Sequence, residues 1–144
     1  MNYSNPLIRR QIIIDYYQNP KNFIKEPISD PNYKVIKTKS DSCADQFDLY
    51  LLIKDDLLVD LKFSGSGCII SQTTFDFLSK YLINKKLDEV KKLLSAYLEF
   101  IFKDVKSPLL AEEFDIFSSV HMQSNRIICA TINAKALNEY LTKE

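Results

Sequence analysis

Glycine is nearly absent from this 144-residue chain, and tryptophan is missing altogether. An excess of either charge is lacking too: 19 Lys and Arg balance 19 Asp and Glu, for a formal net charge of zero. A protein whose affinity comes from neutralising phosphates carries a basic excess, so the balance argues against a nucleic-acid partner. No apolar run approaches the roughly 18–20 residues needed to cross a bilayer, so no membrane partner is expected. The opening MNYSNPLIRRQIII has no long apolar stretch followed by a small-residue cleavage site, and a cytoplasmic location is the expectation. Three cysteines are an odd number, which excludes a closed disulfide set. What is present is a composition 46% apolar and 26% charged, enough to bury a core without disulfides. No internal repeat or low-complexity stretch interrupts it, so residues 1–144 read as a single domain.

The two glycines, Gly65 and Gly67, flank one residue next to Cys68. A chain that avoids glycine elsewhere and places both beside a cysteine needs unusual backbone there. The plainer reading is one turn of positive φ, with the cysteine incidental.

Pro6 to Tyr17 reads as a helix, with Ile12, Ile13, Tyr16 and Tyr17 at helical spacing and Asn19-Pro20 ending it. Tyr33 to Lys37 is a short strand candidate. Phe47, Leu49, Leu51 and Ile53 alternate with Asp48, Tyr50, Leu52 and Lys54; Leu57, Val59, Leu61 and Phe63 alternate with Leu58, Asp60, Lys62 and Ser64. Both runs have the period of a strand, and Asp55-Asp56 between them predicts an antiparallel hairpin. Helices follow over Ile69–Ile83 and Leu87–Phe102, then a short helix and loop over Leu109–Val120, then a last helix over Cys129–Leu141. Tyr81, Tyr97 and Phe100 at helical spacing read as core. Early strands and late helices mean α+β: a small antiparallel three-stranded sheet with helices packed on one face.

Cys43 lies in a polar loop before the hairpin, Cys68 opens the helix after it, and Cys129 opens the last helix. The hairpin brings the Cys43 loop and the Cys68 turn to one end of the sheet. Helix N-termini stabilise thiolate, the form that attacks and that binds metal. With Asp45, two residues from Cys43, three thiolates and a carboxylate make four ligands, the number a tetrahedral zinc takes. Thiolates equally suit iron–sulfur clusters, and three scattered cysteines without a CxxC also fit buried small apolar residues. In a shared site, sulfur and oxygen atoms should lie within about 4 Å of one another.

Cys43-Ala44-Asp45, then the hairpin, then Gly65-Ser66-Gly67-Cys68-Ile69-Ile70-Ser71, then Cys129, resemble the pattern of the U-type iron–sulfur assembly proteins, the family of the NifU N-terminal domain. LIRRQIIIDYYQNPKNF is similar to that family's opening helix and its Asn-Pro ending, so the resemblance covers nearly the whole chain. The likeness is to the SufU type. The IscU type has Leu-Pro-Pro-Val-Lys ahead of the third cysteine and a His directly before it; here Ile128 precedes Cys129. Leu87 to Val120 fits the SufU type's extended segment, and Arg126 stands three residues before Cys129, as in that type. Ala44 departs from the family's usual Gly, which leaves the shape of that loop open.

The resemblance implies a SufE/NifU-like fold and a zinc-bearing sulfur acceptor for a SufS-like cysteine desulfurase. It implies Cys43 as the acceptor thiol and Cys43, Asp45, Cys68 and Cys129 as zinc ligands. Iron–sulfur recipient proteins would be further partners, and the chain would act as a sulfur carrier rather than a self-sufficient enzyme. The alternative is a scaffold that builds a [2Fe–2S] cluster on the same ligands and hands it on. A purely structural zinc domain is the third reading, opposed by an apolar core too large to need a metal staple. Arg126 reads either as a solvated residue near a helix start or as a charge stabilising thiolate or persulfide. His121, eight residues before Cys129, reads as a surface or linker residue.

Overall fold

A computed structural model describes residues 3–39 and 45–143. Helix α1 spans Pro6–Gln18, strand β1 Lys34–Lys39, β2 Gln46–Lys54 and β3 Leu57–Ser66. Helix α2 spans Ile69–Leu82, β4 Lys85–Lys86 and α3 Leu87–Lys103; two 3-10 turns, Glu112–Phe117 and Val120–Met122, lead into α4, Ser124–Thr142. The α+β class stands as expected. The sheet, however, has four strands, in the antiparallel order β1-β2-β3-β4. The added strand carries no hydrophobic pattern, because it exists only through its two rungs, Lys85 to Leu58 and Lys86 to Leu57.

Local chemistry sets the elements. Asn5 caps α1 by accepting the Leu7 N–H at 2.9 Å, and Pro6 occupies the first turn. The β2–β3 turn is Asp55-Asp56, with φ of 51° and 65°. Two left-handed residues match the twist of a hairpin, and aspartate tolerates that region. Near the turn the register slips: Leu52 pairs with Asp60 but Ile53 with Leu58, so Val59 is an extra residue. The bulge turns Leu58 into the core beside Leu61 and Phe63, while Leu57 and Val59 stay half-buried.

Phe47, Leu49 and Leu51 of β2 join them on that face, over which α2 and α4 pack. Almost every residue of α2 is buried, because α1, α4 and β3 all contact it. Asp76 of α2, itself fully buried, accepts the backbone N–H groups of Lys21, Asn22 and Phe23 at 2.9, 2.6 and 3.2 Å. It thereby clamps the chain leaving α1 against the β3 edge, where Ile24 N–H donates to Phe63 O at 2.8 Å. Among the described residues no helix is long and apolar enough to cross a membrane.

Candidate metal centre

The last rung of the hairpin, Gln46 opposite Ser66, sets Asp45 beside Gly67 as the chain turns toward α2. Both glycines are required here. Gly65 has φ 133°, and a Cβ on it would lie 2.2 Å from Gln46 O. A Cβ on Gly67 would lie 2.5 Å from Ser71 Oγ, 2.6 Å from Phe47 Cζ and 2.8 Å from Asp45 Oδ1. The bare backbone of Gly67 thus makes the space into which the Asp45 carboxylate fits.

Cys68 caps α2 with extended backbone, φ −75° and ψ 169°. Ser71 N–H donates to its Sγ at 3.4 Å, and Ser71 Oγ donates back to Cys68 O at 3.0 Å. Cys68 N–H in turn donates to Asp45 Oδ1 at 3.0 Å. Asp45 is only 2% exposed, and its other oxygen, Oδ2, is buried without a hydrogen-bond partner among the described residues. An orphaned buried carboxylate oxygen costs about 1–3 kcal/mol, a penalty that a cation removes.

Cys129 completes the group. One ligand atom each from Asp45, Cys68 and Cys129 lie within 4.8 Å of one another, wider than the expected spacing. A tetrahedral zinc with bonds of roughly 2.3 Å needs about 3.7 Å between sulfurs, so binding would draw the set inward slightly. Cys68 is exposed and Cys129 half-buried, which leaves the cluster open to solvent on one side. The donors present therefore fit a thiophilic divalent metal.

Two expectations for Cys129 change. Helix α4 begins at Ser124, so Cys129 lies five residues beyond its start and not at its opening. The field of the helix N-terminus falls off within the first turn. Burial, then the Cys68 thiol, then the Asp45 carboxylate, push the Cys129 thiol well above its ordinary range. A bound cation inverts that balance, since coordinating thiols deprotonate outright.

Cys43 and Ala44 lie outside the described residues. Arg126, in the first turn of α4, is exposed; its backbone N–H donates to Gln123 O at 2.9 Å, and its side chain has no hydrogen bond or ion pair among the described residues. His121 stands apart from the cluster: its Nδ1 lies 2.7 Å from Ser118 O and its Nε2 3.5 Å from an Asp104 carboxylate oxygen. Asn133, not foreseen as part of the site's surroundings, is buried one turn after Cys129. Its Oδ1 accepts from Thr38 Oγ1 at 2.8 Å and ties the end of β1 to α4. The available signal was an amide placed four residues after a cysteine on one helix face.

Comparison with known proteins follows the same lines. The family described as the NifU-like N terminal domain matches residues 8–143. The zinc-dependent sulfurtransferase SufU of Bacillus subtilis is 26% identical over 136 residues, covering 94% of this chain and 90% of that protein. The iron–sulfur cluster assembly scaffold protein IscU of Thermotoga maritima is 27% identical over 141 residues, covering 92% of each. A crystal structure of a candidate scaffold protein for the SUF system of Fervidobacterium islandicum superposes with TM-score 0.78 at 25% identity, covering 91% of this chain and 94% of that one. The N-terminal NifU-like protein of Brucella abortus, at 15% identity and TM-score 0.77 over 96% of each chain, shares the fold.

Proposed function

This chain belongs to the NifU-like N-terminal domain family, and from that membership we propose that it is a zinc-dependent sulfur acceptor, taking persulfide sulfur from a cysteine desulfurase in the cytoplasm. The observation that carries the reading is Asp45 Oδ2, buried without a donor among the described residues and grouped with the thiols of Cys68 and Cys129. Its similarity to a zinc-dependent sulfurtransferase supports zinc as the metal. The ligands would be Cys43, Asp45, Cys68 and Cys129. Bound there, zinc would supply the positive charge that keeps the sulfurs deprotonated at neutral pH.

The chain's own residues divide the remaining work. Asp45 and Ser71 hold Cys68 in place through its backbone and sulfur, and α4 fixes Cys129. Cys43 is the acceptor: its thiolate attacks the outer sulfur of the donor persulfide. A new S–S bond forms as the donor's S–S bond breaks, and the donor cysteine leaves as thiolate. The exchange needs no outside oxidant, and the sulfur then passes to the proteins that build or receive clusters. Arg126 contributes a positive charge favouring the anionic sulfurs.

A second reading is favoured by the similarity to the Thermotoga maritima scaffold. There a [2Fe–2S] cluster is cargo, assembled on the same four residues, with Asp45 as a hard oxygen ligand that makes it easy to release. One set of variants separates the two. Under the acceptor reading, Cys43→Ser abolishes both stimulation of the desulfurase and persulfide capture, whereas Asp45→Ala keeps the acceptor thiol and loses mainly metal affinity. Desulfurase turnover that survives Cys43→Ser, with cluster loading lost, establishes the scaffold instead. Metal and sulfide analysis with a visible spectrum on anaerobically purified protein identifies the resident group directly.

A further inference from the structure

A groove of about 530 Å³ runs between α1, the start of α2, the 3-10 turns and the start of α4. Its polar wall is cationic: Arg9, Arg10 and Arg126 line it, and among the described residues no acidic side chain does. In a chain of zero net charge this is a local segregation of sign. Arg9 is held in the wall by Tyr3 O at 3.3 Å and Ser118 Oγ at 3.2 Å. Arg10 and Arg126 are exposed and have no side-chain partner among the described residues. The apolar lining is equally specific. Ile14 and Ile69 reach the groove but are not part of the hydrophobic core, and Ile69 is 38% exposed. Ile69 also follows Cys68 directly, so the groove opens at the lip of the metal centre.

Unpaired guanidiniums around surplus isoleucines suit a ligand that brings both carboxylates and apolar side chains. We propose that this groove docks an acidic, apolar segment of the sulfur-donating partner and so sets that partner's reactive cysteine over Cys68 and its neighbours. The identity of the partner rests on the sulfur-acceptor reading; the chemistry of the docked segment rests on the groove alone. Arginine forks bind carboxylates in fixed geometry, and rim charges govern encounter rate and salt dependence.

The test measures binding separately from transfer. The cysteine desulfurase of the same organism is titrated by calorimetry with the zinc-loaded full chain and with its Arg10→Glu and Ile14→Ser variants. Neither residue belongs to the metal centre. Arg10→Glu should weaken binding about tenfold and flatten its dependence on salt between 50 and 300 mM, roughly the range over which such charges are screened. Ile14→Ser should weaken binding at every salt concentration, with unchanged zinc content and circular dichroism in both. Affinities within twofold of the unmodified chain for both variants would overturn the docking role. Binding lost in these variants, with sulfur transfer indifferent to Cys43→Ser, keeps the groove and overturns the acceptor reading. Arg10-dependent capture of a single-stranded oligonucleotide at physiological salt, with no effect on the desulfurase, would assign the arginines to phosphates and overturn the proposal.

Discussion

Gly67 shows how much of the site one absent side chain carries. Its Cα faces Ser71, Phe47 and the Asp45 carboxylate, all closer to an added Cβ than such atoms ever approach. Ser71 Oγ can rotate away, but the Phe47 ring is buried and Asp45 is held by Cys68 N–H. Gly67→Ala should therefore displace the carboxylate and lower zinc affinity about tenfold or more, measured by competition with a chromogenic chelator. A metal affinity equal to that of the unmodified chain would mean that Asp45 is not a ligand. Gly65→Ala acts differently: strained φ and a backbone collision should cost several kcal/mol of stability. The glycine pair was legible beside Cys68 because glycine is otherwise missing. That Gly67 serves the carboxylate was not, since this depends on a cross-strand neighbour. Cys129 was misplaced relative to its helix for a related reason. Ser124 and Asn125 are polar because the first turn of α4 is exposed, and polar residues there look like a loop until the exposure is known.

At the scale of elements, the hairpin was legible almost to the residue, because alternation and an Asp-Asp turn agree. Its bulge was not. Strict alternation puts Leu57 and Val59 in register with Leu61 and Phe63, yet the extra residue at Val59 gives the core position to Leu58, 0% exposed. The cause lies in tertiary structure: β4 pairs with this end of β3, and Asn84 N–H donates to Leu58 O at 2.7 Å. Leu58→Ala should accordingly cost about 2–5 kcal/mol, the range for emptying a leucine site in a packed core. Val59→Ala should cost about 1 kcal/mol or less. Urea unfolding of the two variants, read at constant m, decides between the bulged and the unbroken register: a larger loss for Val59→Ala than for Leu58→Ala would argue for the unbroken one.

For the molecule as a whole, the question is whether the metal builds the fold or only occupies it. The core draws on β2, β3, α2, α3, α4 and the first 3-10 turn, and α1 packs half-buried Ile12, Ile13 and Tyr16 against it. Phe77 alone makes ring contacts with Tyr16 of α1, Tyr81 of α2, and Phe114 and Phe117 of the first 3-10 turn, at 4.9–5.5 Å. Tyr97 of α3, fully buried, donates its hydroxyl to Ala130 O of α4 at 2.7 Å. None of these contacts needs a cation, and the chain buries enough apolar surface to fold without one. Removing the metal should leave far-UV circular dichroism nearly unchanged at 25 °C. It should still lower the melting temperature, because a ligand that binds only the folded state stabilises it by mass action. With free zinc about a thousandfold above Kd that contribution is about 4 kcal/mol, or about 10 °C for a chain of this length. The loss should be local as well. Amides at Cys68 and Ser71, tied to Asp45 and to the cysteine sulfur, should exchange faster without metal, while those of α3 keep their protection. Collapse of the helical signal on chelation would place the metal among the forces that fold the chain, as in a zinc domain whose core cannot stand alone.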